Sequence, residues 1–275
     1  MWSHVRVGVI ESQLSDVAER VATEAAELVR DARVAIQDGT PLRVGTKSTD
    51  TDVVTAVDHE AERLVRTRLA ELRPGEQVLG EEQGGAHGAG VTWVVDPIDG
   101  TVNFVYGYPW FAVSLAAQVD GVSVAGAVVE PVSGRCWKAV RGGGATLDGR
   151  PLSVSAPPRL DLTLVGTGFA YRAERRGRQA ETAAKLLGQV RDIRRSGSAA
   201  LDLCAVAAGW IDAYYEHGLS PWDWAAGALI AAEAGAVVST PGTDPVAGAD
   251  FTCAAAPSIA VPLREALIEC GAARI

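Results

Sequence analysis

The stretch from Val91 to Thr101 constrains this chain more than any other. An apolar run, Val91–Val95, reads as a short buried strand, and it breaks at once into D-P-I-D-G-T. Pro97 has no N–H and cannot extend a central strand, so the spacing predicts a turn there. Asp96 and Asp99 then stand close together at a strand's carboxyl end. Gly100 lets the backbone approach a ligand closely, and Thr101 is placed to cap the next element. Crowded carboxylates repel unless a cation lies between them, and hard oxygen ligands suit Mg2+. Free N–H groups beside such a cation would hold a phosphate. By itself the turn also matches an ordinary aspartate-rich loop.

Composition sets the outer limits. A chain of 275 residues, 48% hydrophobic, can bury a large core as one domain or two intimate ones. A formal charge of -9 argues against bulk nucleic-acid binding. Two local clusters, Arg172, Arg175, Arg176 and Arg178, then Arg191, Arg194 and Arg195, read as solvated faces or subunit contacts. Met1–Ile10 lacks the basic and long apolar parts of a signal peptide, and no apolar run reaches the roughly 18–20 residues of a membrane span. Cys136, Cys204, Cys253 and Cys270 lack C-x-x-C spacing. They read as core thiols in a reducing cytoplasm, not as zinc ligands.

The remaining elements follow from periodicity. Ser12–Arg33 carries Leu14, Val17, Ala18, Val21, Ala25, Leu28 and Val29 on one helical stripe. Lys47–Asp52 is polar and turn-rich, a loop before a helix in whose first turn Asp58 falls as a cap. Gln77–Gly80 is a short strand running into Glu81-Glu82, a pair that needs solvent or a cation beside it. Phe111–Val119, Val122–Val129 and Cys136–Val140 predict an antiparallel meander. Gly142–Gly149 reads as a turn. Beyond it, strands at Leu162–Val165, Ile193–Arg195, Trp210–Glu216, Ala236–Ser239 and Phe251–Ala255 alternate with helices at Gln179–Val190, Ala199–Ala208, Pro221–Ala234 and Val261–Glu269. That alternation predicts α/β layering, with a mixed sheet in the first half.

Three separated pieces now stand in order: G-E-E (Gly80–Glu82), D-P-I-D-G-T (Asp96–Thr101) and W-D-W-A-A-G (Trp222–Gly227). Together they resemble the signatures of the inositol monophosphatase family, as do R-S-G-S-A (Arg195–Ala199) and D-A-Y-Y-E (Asp212–Glu216). The likeness covers nearly the whole chain and is strongest to the bacterial SuhB-type members, those of actinobacteria above all. It implies an α/β fold of alternating α-β-α-β-α layers, like that of the fructose-1,6-bisphosphatases. Residues 1–275 would form a single domain, with a metal-bearing α+β half over 1–150 and an α/β half over 151–275. It implies a cytoplasmic homodimer that is lithium-sensitive and uses two or three Mg2+ per site. By resemblance the metal ligands are Glu81, Asp96, the Ile98 carbonyl, Asp99 and Asp223. Gly100 and Thr101 would bind phosphate, and Thr101, Asp58 and Glu81 would orient the attacking water. Asp99, Gly197, Ser198, Ala199 and Glu216 would meet the substrate's polyol end, and Lys47–Asp52 would be a mobile loop over the site. Thr167-Gly168-Phe169 departs from the more polar sequence of some members.

The expected reaction is hydrolysis of inositol-1-phosphate by metal-activated water, with breadth toward sugar and polyol phosphates. No C-x5-R loop, D-x-D-x-T motif or G-x-S-x-G elbow supports a covalent route. Alternatives within the superfamily are histidinol phosphate, fructose-1,6-bisphosphate and 3′-phosphoadenosine-5′-phosphate as substrates. From another class comes a regulatory protein associated with RNA polymerase.

Overall fold

The computed structural model describes the backbone of residues 2–275 and the side chains from Ile10 onward. The reading of Met1–Ile10 falls almost wholly outside those side chains. In chain order the elements are α1 (Trp2–Gln37), β1 (Val44–Thr46), β2 (Val53–Thr55), α2 (Ala56–Leu72), β3 (Gln77–Gly80), β4 (Val91–Asp99), α3 (Thr101–Tyr106) and β5 (Ala112–Val119). β6 (Val122–Val129), β7 (Cys136–Val140), β8 (Gly144–Leu147), β9 (Arg150–Pro151), β10 (Leu164–Thr167), α4 (Ala173–Leu187) and β11 (Asp192–Arg194) come next. The chain closes with α5 (Ala199–Ala207), β12 (Ala213–His217), α6 (Pro221–Glu233), β13 (Val237–Ser239), β14 (Phe251–Ala255) and α7 (Ala260–Cys270).

β1 and β2 pair as a small hairpin. Seven strands form one sheet in the order β3-β4-β5-β6-β7-β8-β9, with only β3 and β4 parallel. Five form a second, β11-β10-β12-β14-β13, parallel around β10 and antiparallel around β14. The second half is therefore also mixed.

Side-chain alternation stacks these sheets into five layers. Trp93 and Val95 of β4 pack with the stripe Leu14, Ala18, Val21, Ala25 and Val29 of α1, while Val94 packs the other way, against α5 and α6. A strand buried on both faces has to be apolar throughout, which is why Val91–Val95 shows no polar alternation. Tyr214 of β12 joins Leu203 and Ala228 on the inner helices, and Tyr215 joins Leu186 and Leu267 on the outer ones. The order is α1/α2, first sheet, α5/α6, second sheet, α4/α7. Cys204, Cys253 and Cys270 are buried and Cys136 half-buried, all as free thiols.

Two expectations are corrected. β4 does not stop before Pro97 but continues to Asp99, with its register to β5 interrupted between Asp96 and Asp99. An irregularity of that kind leaves room for a residue without N–H inside a central strand. Gly142–Gly149 is more than a turn, because Gly144–Leu147 pairs with β7 as β8.

Candidate functional site

A cavity of about 430 Å3 is lined by the β1–β2 turn, the ends of β4, β10 and β12, and the starts of α5 and α6. Asp96, Asp99 and Asp223 each bring one carboxylate oxygen within 4.8 Å of the other two. In a regular strand, residues three apart face opposite sides. The interrupted register of β4 is what lets Asp96 and Asp99 reach the same cavity. Asp223 arrives from the first turn of α6, where it closes a capping box with Ser220.

Each aspartate is held by main-chain donors. The Ile98 N–H donates to Asp96 at 3.0 Å and the Ser220 N–H to Asp223 at 2.6 Å. Asp99 accepts from the Ser198 hydroxyl and from the N–H groups of Ala199 (3.3 Å) and Ala200 (2.7 Å). Burial pushes Asp96 and Asp223 well above the usual carboxylate range, and the charges of Glu81 and Asp99 add to the shift. Burial also lifts Asp99 to about 6, against the pull of its Ser198 and Ala200 donors. Carboxylates crowded in this way resist ionisation unless a cation compensates them.

Glu81 lines the same cavity, but an ammonium group already stands beside it. Lys47 Nζ lies 2.7 Å from Glu81 Oε1 and 2.5 Å from Glu82 Oε1. Burial lifts Glu82 to about 7. Burial opposes the charge on Lys47, yet the Glu81 carboxylate outweighs it and holds Lys47 above the ordinary lysine range. Asp52 closes the same turn by accepting from the Ser48 N–H at 3.1 Å.

Thr101 is not the cap of α3. Gly100, at φ +98°, holds the cap position, and Thr101 begins the helix. The Thr101 hydroxyl instead lies 3.0 Å from both Asp58 Oδ1 and the Ile98 carbonyl. The other Asp58 oxygen accepts the Thr55 N–H at 2.8 Å, completing the N-terminal box of α2. One buried carboxylate thus caps its own helix and reaches the D-P-I-D-G-T turn.

At the far end stand Gly197, Ser198, Ala199 and Glu216. The Ser198 hydroxyl and the Ala199 N–H are directed at Asp99, so here they fix the aspartate. Burial lifts Glu216 to about 7, although Tyr214 donates to it. A Cβ at Gly168 would stand 1.8 Å from Glu216 Oε2, so the departure at Thr167-Gly168-Phe169 makes room for that carboxylate.

Some cavity residues had no sequence expectation attached. Asp202 is buried in the wall and lifted to about 8 by that burial; its signal was one aspartate inside the apolar run A-A-L-D-L-C-A-V-A. The arginine clusters are solvated, with Arg172, Arg191, Arg194 and Arg195 exposed and Arg175, Arg176 and Arg178 half-buried. Arg175 pairs with Asp250, Arg178 with Glu174 and Arg194 with Asp192, while Arg172 and Arg195 line the cavity.

Comparison with known proteins agrees with the geometry. The family model described as the inositol monophosphatase family matches residues 10–271. An inositol-1-monophosphatase of Mycobacterium leprae is 57% identical over 272 residues, 93% of each chain. The structure of Mycobacterium tuberculosis SuhB superposes with a TM-score of 0.82 at 47% identity, covering 96% of this chain and 98% of that one. A Nus factor SuhB of Pseudomonas aeruginosa is 41% identical, over 82% of this chain and 84% of its own.

Proposed function

Because the chain belongs to the inositol monophosphatase family, we propose that it hydrolyses inositol-1-phosphate with Mg2+ at the cavity of Asp96, Asp99 and Asp223. The observation that carries this reading is the convergence of those three carboxylates, from two distant segments, within 4.8 Å. The donor set fits a hard divalent ion: all ligand atoms are oxygen, and their mutual repulsion is what a cation relieves. Asp96, Asp99 and Asp223 would hold Mg2+, joined by Glu81 and the Ile98 carbonyl. Bound Mg2+ supplies charge neutralisation at the phosphate and lowers the pKa of water.

The chain's own groups do the rest. Thr101, hydrogen-bonded to Asp58, orients the attacking water and passes its proton toward that carboxylate. The N–H groups of Gly100 and Thr101 hold phosphate oxygens, and the starts of α5 and α6 add positive potential on the same side. Glu216 accepts hydrogen bonds from ring hydroxyls at the far end, flanked by Gly197, Ser198 and Ala199. Lys47 must swing off Glu81 for that carboxylate to serve, which is the motion expected of the Lys47–Asp52 loop.

The same reading takes residues 1–275 as one lithium-sensitive, cytoplasmic domain acting as a homodimer. Among the described residues no helix is long and apolar enough to cross a membrane. Phosphate release from D- and L-inositol-1-phosphate is to be measured against Mg2+, with a Li+ titration and a panel of other phosphate monoesters. Release without Mg2+, or far faster turnover of histidinol phosphate or 3′-phosphoadenosine-5′-phosphate, would overturn it.

A further inference from the structure

We infer that Glu62, with its partner Arg66, is a positioning residue for the Glu81-Glu82 turn, so that α2 sets both acidic segments of the site. The inference rests on the metal-centre reading above. Glu62 lies one helical turn beyond Asp58, which puts the two carboxylates on one face of α2. Asp58 accepts the Thr101 hydroxyl at 3.0 Å. Glu62 accepts the Glu82 N–H at 2.7 Å and the Gln83 N–H at 3.2 Å. One rigid helix therefore grips the D-P-I-D-G-T turn with one side chain and the G-E-E turn with the next.

The rest of that helix face is apolar. Val57, Ala61, Val65 and Leu69 are buried there, and Glu62 is fully buried among them. A carboxylate in such a place is costly unless it is paired and hydrogen-bonded. Arg66 pairs it, with Nε donating to Glu62 Oε1 at 2.8 Å. The remainder of the guanidinium donates to Val78 O at 3.3 Å and Gly84 O at 2.6 Å, on either side of the acidic pair. Gly80 permits the approach, since a Cβ there would stand 2.3 Å from Glu62 Oε1. The turn's base is completed by Gly80 N–H to Gly84 O at 3.0 Å and Glu81 N–H to Val95 O at 3.2 Å. The backbone of Glu81 is thereby fixed, while its carboxylate lines the cavity and is held by Lys47.

The test is Glu62→Gln in the full chain. Glutamine keeps the shape, but it turns an NH2 group toward an N–H donor and leaves Arg66 without its counter-charge. Mg2+ alone is titrated calorimetrically into metal-free wild type and variant, without substrate, and hydrogen exchange at the Glu82 and Gln83 amides is followed. We expect the Mg2+ Kd to rise about 10–100-fold and both amides to exchange faster. The exposed neighbour Glu60→Gln should change neither. If Glu62→Gln does not fold, Arg66→Lys is measured instead and should weaken Mg2+ binding in the same direction. Wild-type Kd in the folded variant overturns the inference alone. Failure of the wild-type chain to take up Mg2+ overturns the metal-centre reading and the inference with it.

Discussion

The acidic groups around the cavity are held in two different ways. Asp96, Asp99 and Asp223 accept N–H groups from Ile98, from Ala199 and Ala200, and from Ser220. Glu81 and Glu82 share the ammonium of Lys47, at positions 34 and 35 residues away. A main-chain donor cannot leave without undoing a strand end or a helix start. A lysine sits on a flexible stem and can be exchanged for another cation. One wall of the site is thus preorganised, and the other is loaded by substitution.

The largest expected effect comes from breaking the preorganised wall. Asp223→Asn should lower Mg2+-dependent kcat/KM on the order of 10³-fold, the equivalent of several kcal/mol. A loss below tenfold would show that this wall is dispensable.

Next comes the charge of the cavity as a whole. In EDTA, Asp99 near 6, Glu82 and Glu216 near 7 and Asp202 near 8 keep protons in the folded chain that the unfolded chain has released. These raised values contribute stability that is fully present below about pH 4 and is lost as pH rises through 6 to 8. The metal-free Tm should therefore fall between pH 5 and pH 8. Mg2+ should restore more of it at pH 8 than at pH 6, as differential scanning calorimetry would show. A metal-free Tm that rises over that window would refute the charge argument.

The exchangeable wall should respond more weakly and with the opposite sign. Lys47→Gln removes a competing cation, so Mg2+ affinity should increase by about 2–5-fold, the range for a partly exposed ion pair. The gap between variant and wild type should shrink at high ionic strength. Tighter binding that is indifferent to salt would point away from charge competition.

The smallest effect is expected at Ser198, which caps α5 and donates to Asp99. Ser198→Ala should cost about 1 kcal/mol, or a Tm lower by roughly 2–4 °C in a chain of this size.

The preorganised wall was the more legible of the two. Asp96 and Asp99 stand at the end of a strand and Asp223 opens a helix, and both positions show in the local sequence. The α1 stripe and the β5–β7 meander were equally readable, because each is a periodic pattern within one segment. Pro97 misled, since a sequence does not show that a central strand can carry a register break. Gly142–Gly149 hid β8 because its pairing partner, not its own composition, makes it a strand. The Lys47 pair and the Glu62 contacts join segments distant in sequence, and only the packing of α2 and the β1–β2 hairpin brings them together. Ser198 and Ala199 line the cavity, and a local sequence does not show that their donors reach Asp99.

The carboxylates at 81, 96, 99 and 223 span about half of the polypeptide, with β4 in the first sheet and α6 beneath the second. A nascent chain emerging from the ribosome carries no complete set until α6 has been made. The site is therefore among the last features to appear during synthesis, after both sheets have largely been translated. An ion captured there binds the folded molecule and not the unfolded chain, and so shifts the balance toward the folded state.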